Sequence, residues 1–333
     1  MKIKILILFI LITGIYACTN SPSKYIYNKG FVYGTMYTAT YESPNGEDFQ
    51  EEINEEFKKL TMIFSTYEKE STISKINNNE TVKPEPLFLE CYNRAMEISE
   101  ITNGAFDISA GPLVNAWGFG PEEKKKMTQQ KVDSLLQITG FQKIKFENGE
   151  FKKEHRGMKL DMSAIAKGFT SDLIADFLAQ KGCENYMVEI GGEVMAKGKN
   201  AKGRFWTIGI SKPEEDLLKS TSDLQAILQL QNCGMATSGN YRNFYEEDGK
   251  RYAHTIDPKT GYPVQHSLLS ATVLAEDCMT ADAYATAFMV LGKELGIEIA
   301  RQVPGLEIYF IYVDEKGENQ VYMSEGFAQY LVN

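Results

Sequence analysis

The stretch His254-Thr255-Ile256-Asp257-Pro258-Lys259-Thr260-Gly261-Tyr262-Pro263 puts an imidazole, a carboxylate and three turn-forming residues into one short unit. Pro258 fixes its own φ and pushes Asp257 toward an extended backbone, and Gly261 allows a tight reversal before Pro263. The pattern predicts a strand running into a rigid turn that holds its side chains still. Standing alone, a His and an Asp here would read as an incidental surface hairpin. Their neighbours argue for more. Ala236-Thr237-Ser238-Gly239-Asn240-Tyr241 lies just upstream and Thr280-Ala281-Asp282-Ala283-Tyr284-Ala285-Thr286 downstream, so oxygen-bearing side chains flank the turn on both sides. Strand-like runs also enclose it: Leu224 to Gln231 alternates apolar and polar residues as a half-buried strand does, and Leu268 to Leu274 follows the turn as one more strand.

At the start of the chain, Lys2 and Lys4 precede an apolar run from Ile5 to Ile12, too short to span a bilayer of the usual thickness. Ile15-Tyr16-Ala17-Cys18 then reads as a lipoprotein cleavage box. Residues 1–17 are accordingly expected to be a signal peptide, Cys18 the lipid-bearing first residue of the mature chain, and residues 18–30 a tether. An ordinary secretory signal with a chance cysteine is the alternative. Residues 31–333 are expected to form one domain, on an exported, membrane-anchored lipoprotein facing the periplasm.

The formal net charge of −10 across 333 residues argues against a nucleic-acid partner and supplies no basic stripe for anionic lipid. Cys91, Cys183, Cys233 and Cys278 show no Cys-x-x-Cys spacing, so neither zinc nor a redox pair is indicated, and buried free thiols are expected.

Along the chain, Phe31 to Tyr41 reads as the first strand, interrupted at Gly34-Thr35. Ile53, Phe57, Leu60 and Phe64 recur at helical spacing over Phe49 to Phe64, and Phe88, Cys91, Ala95 and Ile98 do so over Leu87 to Thr102. Between the two helices lie Ser65-Thr66-Tyr67 and Ser71 to Asn77. A loop of small residues, Asn103 to Pro112, surrounds Asp107 and is closed by Trp117-Gly118-Phe119-Gly120-Pro121. Glycines beside aromatic rings suit either a flat ligand or a plain core turn. A charged insertion from Glu122 to Gln130 leads to a short helix ending near Gly140, and Asn148-Gly149 predicts a hairpin over Phe141 to Lys153.

Leu160-Asp161-Met162-Ser163-Ala164-Ile165-Ala166-Lys167-Gly168-Phe169 reads as strand, turn and helix, with Ser163 as N-cap and Gly182 as the stop. A helix N-terminus with Lys167 in its first turn suits a phosphate, although standing alone it reads more readily as a capped structural helix. The chain contains no P-loop and no dinucleotide-binding glycine fingerprint. Asn185 to Ala196 reads as one strand through Gly191-Gly192, Phe205 to Ile210 as another, Glu214 to Ser222 as a polar loop, and Glu307 to Tyr322 as a closing hairpin. In the helix from Thr280 to Leu291, Asp282 and Thr286 share a face and could hold one hard cation. The alternative there is a surface aspartate beside a threonine bonded to its own backbone.

Taken in order, Gly34-Thr35, Ser65-Thr66-Tyr67 with Ser71, Gly104-Ala105-Phe106-Asp107, Leu160-Asp161 through Lys167-Gly168-Phe169, Gly191-Gly192, Ala236-Thr237-Ser238-Gly239, His254 to Gly261 and Asp282 to Thr286 resemble the motifs of the ApbE family. These bacterial proteins are FAD:protein FMN transferases. The resemblance implies an α+β fold, with mixed or antiparallel sheets, flanking helices and two lobes around a flavin-binding cleft. It implies magnesium-dependent transfer of FMN from FAD to a Thr or Ser hydroxyl of an acceptor protein with release of AMP, and acceptors that are subunits of membrane redox pumps. Flavin contacts would come from Tyr33, Tyr67, Ala105, Phe106, Asp107, Asp161, Lys167 and Ile256, and the metal would sit on Asp282, Thr286 and the backbone oxygen of Ala164. Tyr33 stands where the family often has methionine, and Lys167 where some relatives are acidic. Others carry a carboxylate where this chain has Ala285, which cannot ligate a second metal.

His254 is the best-placed base, because an imidazole titrates near neutral pH and the Asp257-Pro258 turn fixes it. His155 in a charged hairpin and His266 without an acidic neighbour are poorer candidates. Two other readings remain open: an FAD pyrophosphatase that uses water, and a lipid-anchored flavin-binding protein without catalysis.

Overall fold

The structure, a computed structural model, describes residues 23–213, 224–240, 244–247 and 250–332. The expected signal peptide, Cys18, the polar loop Glu214 to Ser222 and Tyr241 lie outside the described residues.

The chain opens with β1 (Lys24–Val32) and β2 (Thr35–Ser43), paired antiparallel from Lys24↔Ser43 to Val32↔Thr35. The single strand expected over 31–41 is therefore a hairpin. Its turn is Tyr33-Gly34, with φ of 51° and 74°, the left-handed pair that a two-residue turn between twisted strands requires. Residues 24–30, expected to be tether, belong to the first strand of the sheet.

Three helices follow: α1 (Gln50–Phe64), α2 (Thr72–Asn77) and α3 (Pro86–Ile101). The Ser71 side chain caps α2 by accepting from the Ser74 amide. Next come the short α4 (Gly111–Ala116) and α5 (Gln129–Gln137), then β3 (Ile144–Glu147) and β4 (Glu150–Lys153), whose turn is the expected Asn148-Gly149. The helix after Asp161, α6 (Ala166–Gln180), starts three residues beyond the expected Ser163 cap. Ser163 instead donates its amide to the Asp161 carboxylate at 2.9 Å, so it belongs to the turn before the helix.

The remaining elements are β5 (Tyr186–Ile190), β6 (Glu193–Lys197), β7 (Trp206–Ser211), β8 (Leu224–Leu230), β9 (Cys233–Gly239), β10 (Phe244–Glu247), β11 (Lys250–Ala253), β12 (Leu268–Ala275), α7 (Cys278–Leu291), α8 (Lys293–Gln302), β13 (Glu307–Val313) and β14 (Asn319–Met323). Asn185 to Ala196 is thus not one strand but a hairpin turning at Gly191-Gly192. The described cysteines are buried and free.

Eight strands form one antiparallel sheet in the order β1-β2-β5-β6-β9-β12-β13-β14. Because alternate residues of a strand face opposite sides, its central strands feed two cores. Ala236 and Val273 join α3, α6 and α7 on one side. Met235 and Leu274 join Trp206, Ile210, Leu228 and Leu230 of the β7–β8 hairpin on the other. Helices segregated to one face of an antiparallel sheet make this an α+β fold. Helix α7 is buried almost all round, as the alanine run Ala281, Ala283, Ala285 and Ala287 permits.

Candidate active site

The sheet hairpins, the first turn of α6, the inner face of α7 and the loops around residues 105–119 and 254–258 enclose one cleft of about 1080 Å³. That is the size of a dinucleotide rather than of a single sugar. All the residues expected from the sequence line it: Tyr33, Tyr67, Ala105, Phe106, Asp107, Asp161, Ala164, Lys167, His254, Ile256, Asp282 and Thr286.

One wall is set by the crossing of α6 and α7. Gly168 allows it, since a Cβ there would lie 2.3 Å from the Cys278 carbonyl oxygen and 2.8 Å from the Asp282 Cβ. The Gly168 amide donates to Asp282 Oδ2 at 3.0 Å. Asp172 of α6 accepts from the Cys278 and Met279 amides, both at 2.8 Å, while Asp277 caps α7 from its own chain by accepting from Thr280. The N-terminus of α7 therefore has its orphan donors satisfied from two sides.

Asp282 is not the surface aspartate of the alternative reading, because only 3% of it is exposed. Burial raises its carboxyl above the usual range, against the Lys167 charge and the Gly168 amide, which lower it. One turn later the Thr286 hydroxyl lies 3.2 Å from Ser238 Oγ on β9. Lys167 forms an ion pair with Glu193, a residue the sequence reading passed over as mid-strand. Burial works against the Lys167 charge, but the carboxylates of Glu193 and Asp282 outweigh it and raise the ammonium. The Glu193 carboxyl is itself raised by burial.

Asp282, Thr286 and the Ala164 carbonyl offer carboxylate, hydroxyl and carbonyl oxygens to one cleft, a donor set that fits a hard divalent cation. Among the described residues, no three His, Cys, Asp or Glu side chains gather as a metal cage. The set therefore suits a metal that completes its shell with substrate and water.

Another part of the lining is built from turns. Asp257 accepts from the Lys259 amide at 2.8 Å, and Gly261, at φ 74°, donates to the Asp257 carbonyl. Trp117 Nε1 donates to the Gly261 carbonyl at 2.8 Å, and a Cβ on Gly261 would lie 2.6 Å from Val132. Ile256 joins Leu113, Ala116, Trp117 and Leu135 in a small core. This docking fixes the backbone that carries His254, whose ring meets Phe119 edge-on at 6.4 Å. The Asp257 carboxylate holds the turn that follows His254.

The other histidines lie off the cleft. His155 accepts from the Gly157 amide, and His266 is placed between the Met289 carbonyl and the Leu268 amide.

Asp107 lines the cleft with both oxygens engaged, accepting from Ser109 at 2.7 Å and Phe141 at 3.0 Å. Burial raises its carboxyl, and these donors oppose the shift. Tyr33 packs edge-on against Phe57, 6.4 Å between ring centres, on a backbone of positive φ that is rare for a bulky residue and gathers at functional sites. Tyr67 is 70% exposed at the mouth.

This set of side chains on one cleft coincides with a match of the ApbE family model over residues 33–310. The chain belongs to the ApbE family. It is 39% identical over 317 residues to an FAD:protein FMN transferase of Haemophilus influenzae, covering 90% of each chain. It is 38% identical to that of Vibrio cholerae over 86% of this chain and 88% of the relative. Among solved structures, the flavin transferase ApbE from V. cholerae superposes with a TM-score of 0.83 at 36% identity, covering 93% of this chain and 100% of the other. Of the residues that line an ApbE cleft here, Glu193 was missed because its partner Lys167 is remote in sequence. The Gly191-Gly192 turn just before it is the signal that marks the site.

Proposed function

We propose that the cleft binds FAD and passes its FMN half to a Ser or Thr hydroxyl of an acceptor protein, releasing AMP with the help of Mg²⁺. As an ApbE protein the chain is a transferase, and flavin transfer from FAD to protein is its reaction. The observation that carries the finer reading is the Lys167, Glu193 and Asp282 wall. It puts fixed charge and oxygen donors at one place in a dinucleotide-sized cleft.

In this reading the acceptor oxygen attacks the flavin-side phosphorus, the bond from that phosphorus to the bridging oxygen breaks, and the bridging oxygen leaves on AMP. Mg²⁺ held by Asp282, Thr286 and the Ala164 carbonyl supplies neutralisation of phosphate charge. Lys167 holds the diphosphate from the first turn of α6, where the helix dipole adds partial positive charge. His254 takes the proton from the incoming hydroxyl. Tyr33, Ala105 and Phe106 border the flavin, and Tyr67 closes over it. Asp107 shapes this border through the backbone it holds, and Asp161 does so through the turn before α6.

The test is to incubate the protein with FAD and Mg²⁺, with and without an acceptor fragment, and to follow AMP and protein-bound flavin. Coupled appearance of both, abolished by excess chelator, is expected. AMP with free FMN alone would replace transfer by hydrolysis, and binding without AMP would remove catalysis.

For location, we read residues 1–17 as a signal peptide and Cys18 as the lipid anchor on the periplasmic side, with membrane redox-pump subunits as acceptors. No helix of the described residues is long and apolar enough to cross a membrane. Since β1 begins at Lys24, residues 19–23 span at most about 18 Å, which would keep the start of β1 close to the bilayer. Mass spectrometry of the native N-terminus checks this, and an unmodified Cys18 would refute it.

A further inference from the structure

Glu193 opens β6 directly after the Gly191-Gly192 turn and is only 5% exposed. Its Oε1 is ion-paired with Lys167. Its Oε2 is buried and has no hydrogen-bond partner within the protein, and the residue is part of the cleft lining. A Cβ built on Gly191 would lie 3.4 Å from that oxygen and 2.8 Å from Thr35 Cγ2, so the oxygen sits over bare glycine backbone beside Thr35.

A buried carboxylate oxygen without a donor is costly, and such groups in folded proteins are nearly always partnered. A carboxylate only accepts, so the missing partner is a donor. A second cation is disfavoured because Lys167 already supplies this carboxylate with positive charge. The same wall carries Asp282, so the oxygen borders the place assigned to the diphosphate. In a flavin dinucleotide, the groups next to the diphosphate that donate hydrogen bonds are the hydroxyls of the ribityl chain on one side and of the ribose on the other.

We infer that Glu193 is a substrate-binding residue: Lys167 fixes one of its oxygens, and the other accepts from a sugar-chain hydroxyl of FAD next to the diphosphate. The inference rests on the reading of this cleft as the FAD site. It gives the Gly191-Gly192 turn a reason, since the absence of side chains there lets the polyol reach the carboxylate.

The experiment uses phosphate-free probes, which remove the contributions of Lys167 and any metal to phosphate binding. Riboflavin is compared with lumiflavin, which lacks the ribityl hydroxyls, and adenosine with 2′,3′-dideoxyadenosine, by calorimetry on the whole protein. The wild type should prefer the hydroxylated member of one pair by about tenfold, the worth of one hydrogen bond to a charged group. Which pair shows it identifies ribityl or ribose. Glu193→Gln should erase that preference while leaving the hydroxyl-free member unaffected. Glu193→Asp keeps the charge for Lys167 but withdraws the carboxylate by one carbon, and should erase it too in a fold that melts normally. Retention of the full preference in both variants, or equal loss of affinity for both members of a pair, would overturn the inference. A wild type that prefers neither hydroxylated probe would likewise overturn the inference, whereas failure to bind FAD itself would overturn the reading of this cleft as the FAD site.

Discussion

Two parts of the cleft lining are built on opposite principles. The α6–α7 wall is over-determined: Gly168 brings the helices together, Asp172 and Asp277 hold the start of α7, and the half-buried Lys167 is ion-paired with buried Glu193 within electrostatic reach of buried Asp282. The rim consists of turns, with Tyr67 largely exposed and His254 held by a loop docked on Trp117. Phosphate chemistry needs charges fixed before the substrate arrives, because reorganising them during the reaction would raise the barrier. A rim that must admit both a flavin and another protein's hydroxyl gains from adaptable turns. The comparison predicts that changes at the wall remove chemistry or stability, whereas changes at the rim alter binding and proton transfer.

The largest effect is expected at Asp282. Asp282→Asn keeps an acceptor for the Gly168 amide but removes the charge that would hold Mg²⁺, and AMP release from FAD should fall below detection in a protein that melts near the wild type. Because the residue is buried, alanine is the poorer test, as it would leave the Gly168 amide without its acceptor. Full turnover by the asparagine variant would take the metal away from α7.

His254→Ala comes next, with turnover reduced about 10²–10⁴-fold and FAD binding retained, as expected when a general base is lost. The acid limb of the rate profile should vanish with it. Unchanged turnover and an unchanged limb would leave His254 a turn residue.

Asp172→Ala addresses stability. Two N-terminal amides of α7 lose their acceptor, costing about 1–3 kcal/mol of unfolding free energy by denaturant titration. Burial raises the Asp172 carboxyl well above its usual range. Folding therefore takes up a proton, and the contribution of this residue is full below the ordinary carboxylate pKa of about 4 and declines as pH rises through the folded value. The wild type should lose more stability than Asp172→Ala as pH rises above about 4. Parallel pH curves would contradict this.

The smallest effect on the fold is expected from Tyr67→Ala, within about 0.5 kcal/mol of wild type as for most exposed positions. It should nonetheless raise the KM for FAD and leave kcat nearly unchanged. An unchanged KM would remove Tyr67 from the flavin border.

Much of the sheet could be read from local chemistry. Asn148-Gly149 announced its hairpin, and Gly34 and Gly191-Gly192 were noticed, although as interruptions of single strands. A positive φ at Tyr33 is not written in a tyrosine, so the first hairpin was missed along with the sheet role of residues 24–30. Strand β9, Cys-Gly-Met-Ala-Thr-Ser-Gly, is covered on both faces in its first half and shows no alternation to detect. Helix α8 was not read from the sequence; Gly292 both ends α7 and caps the start of α8, so no linker separates the two.

At the site, Asp282, Thr286 and Lys167 were legible because helical spacing and the end of a helix carry their own logic. Glu193 and Asp172 were not. Each acts on a residue distant in sequence, Glu193 on Lys167 and Asp172 on the start of α7, and nothing in the local sequence records a tertiary contact.

A crystal structure of the protein with FAD and Mg²⁺ tests the division of the cleft most directly. The diphosphate should lie against Lys167, Asp282 and Thr286, with the isoalloxazine among Tyr33, Tyr67, Ala105 and Phe106 and the flavin-side phosphorus within reach of His254. A dinucleotide bound with its diphosphate at the turn rim and away from the α6–α7 wall would contradict it.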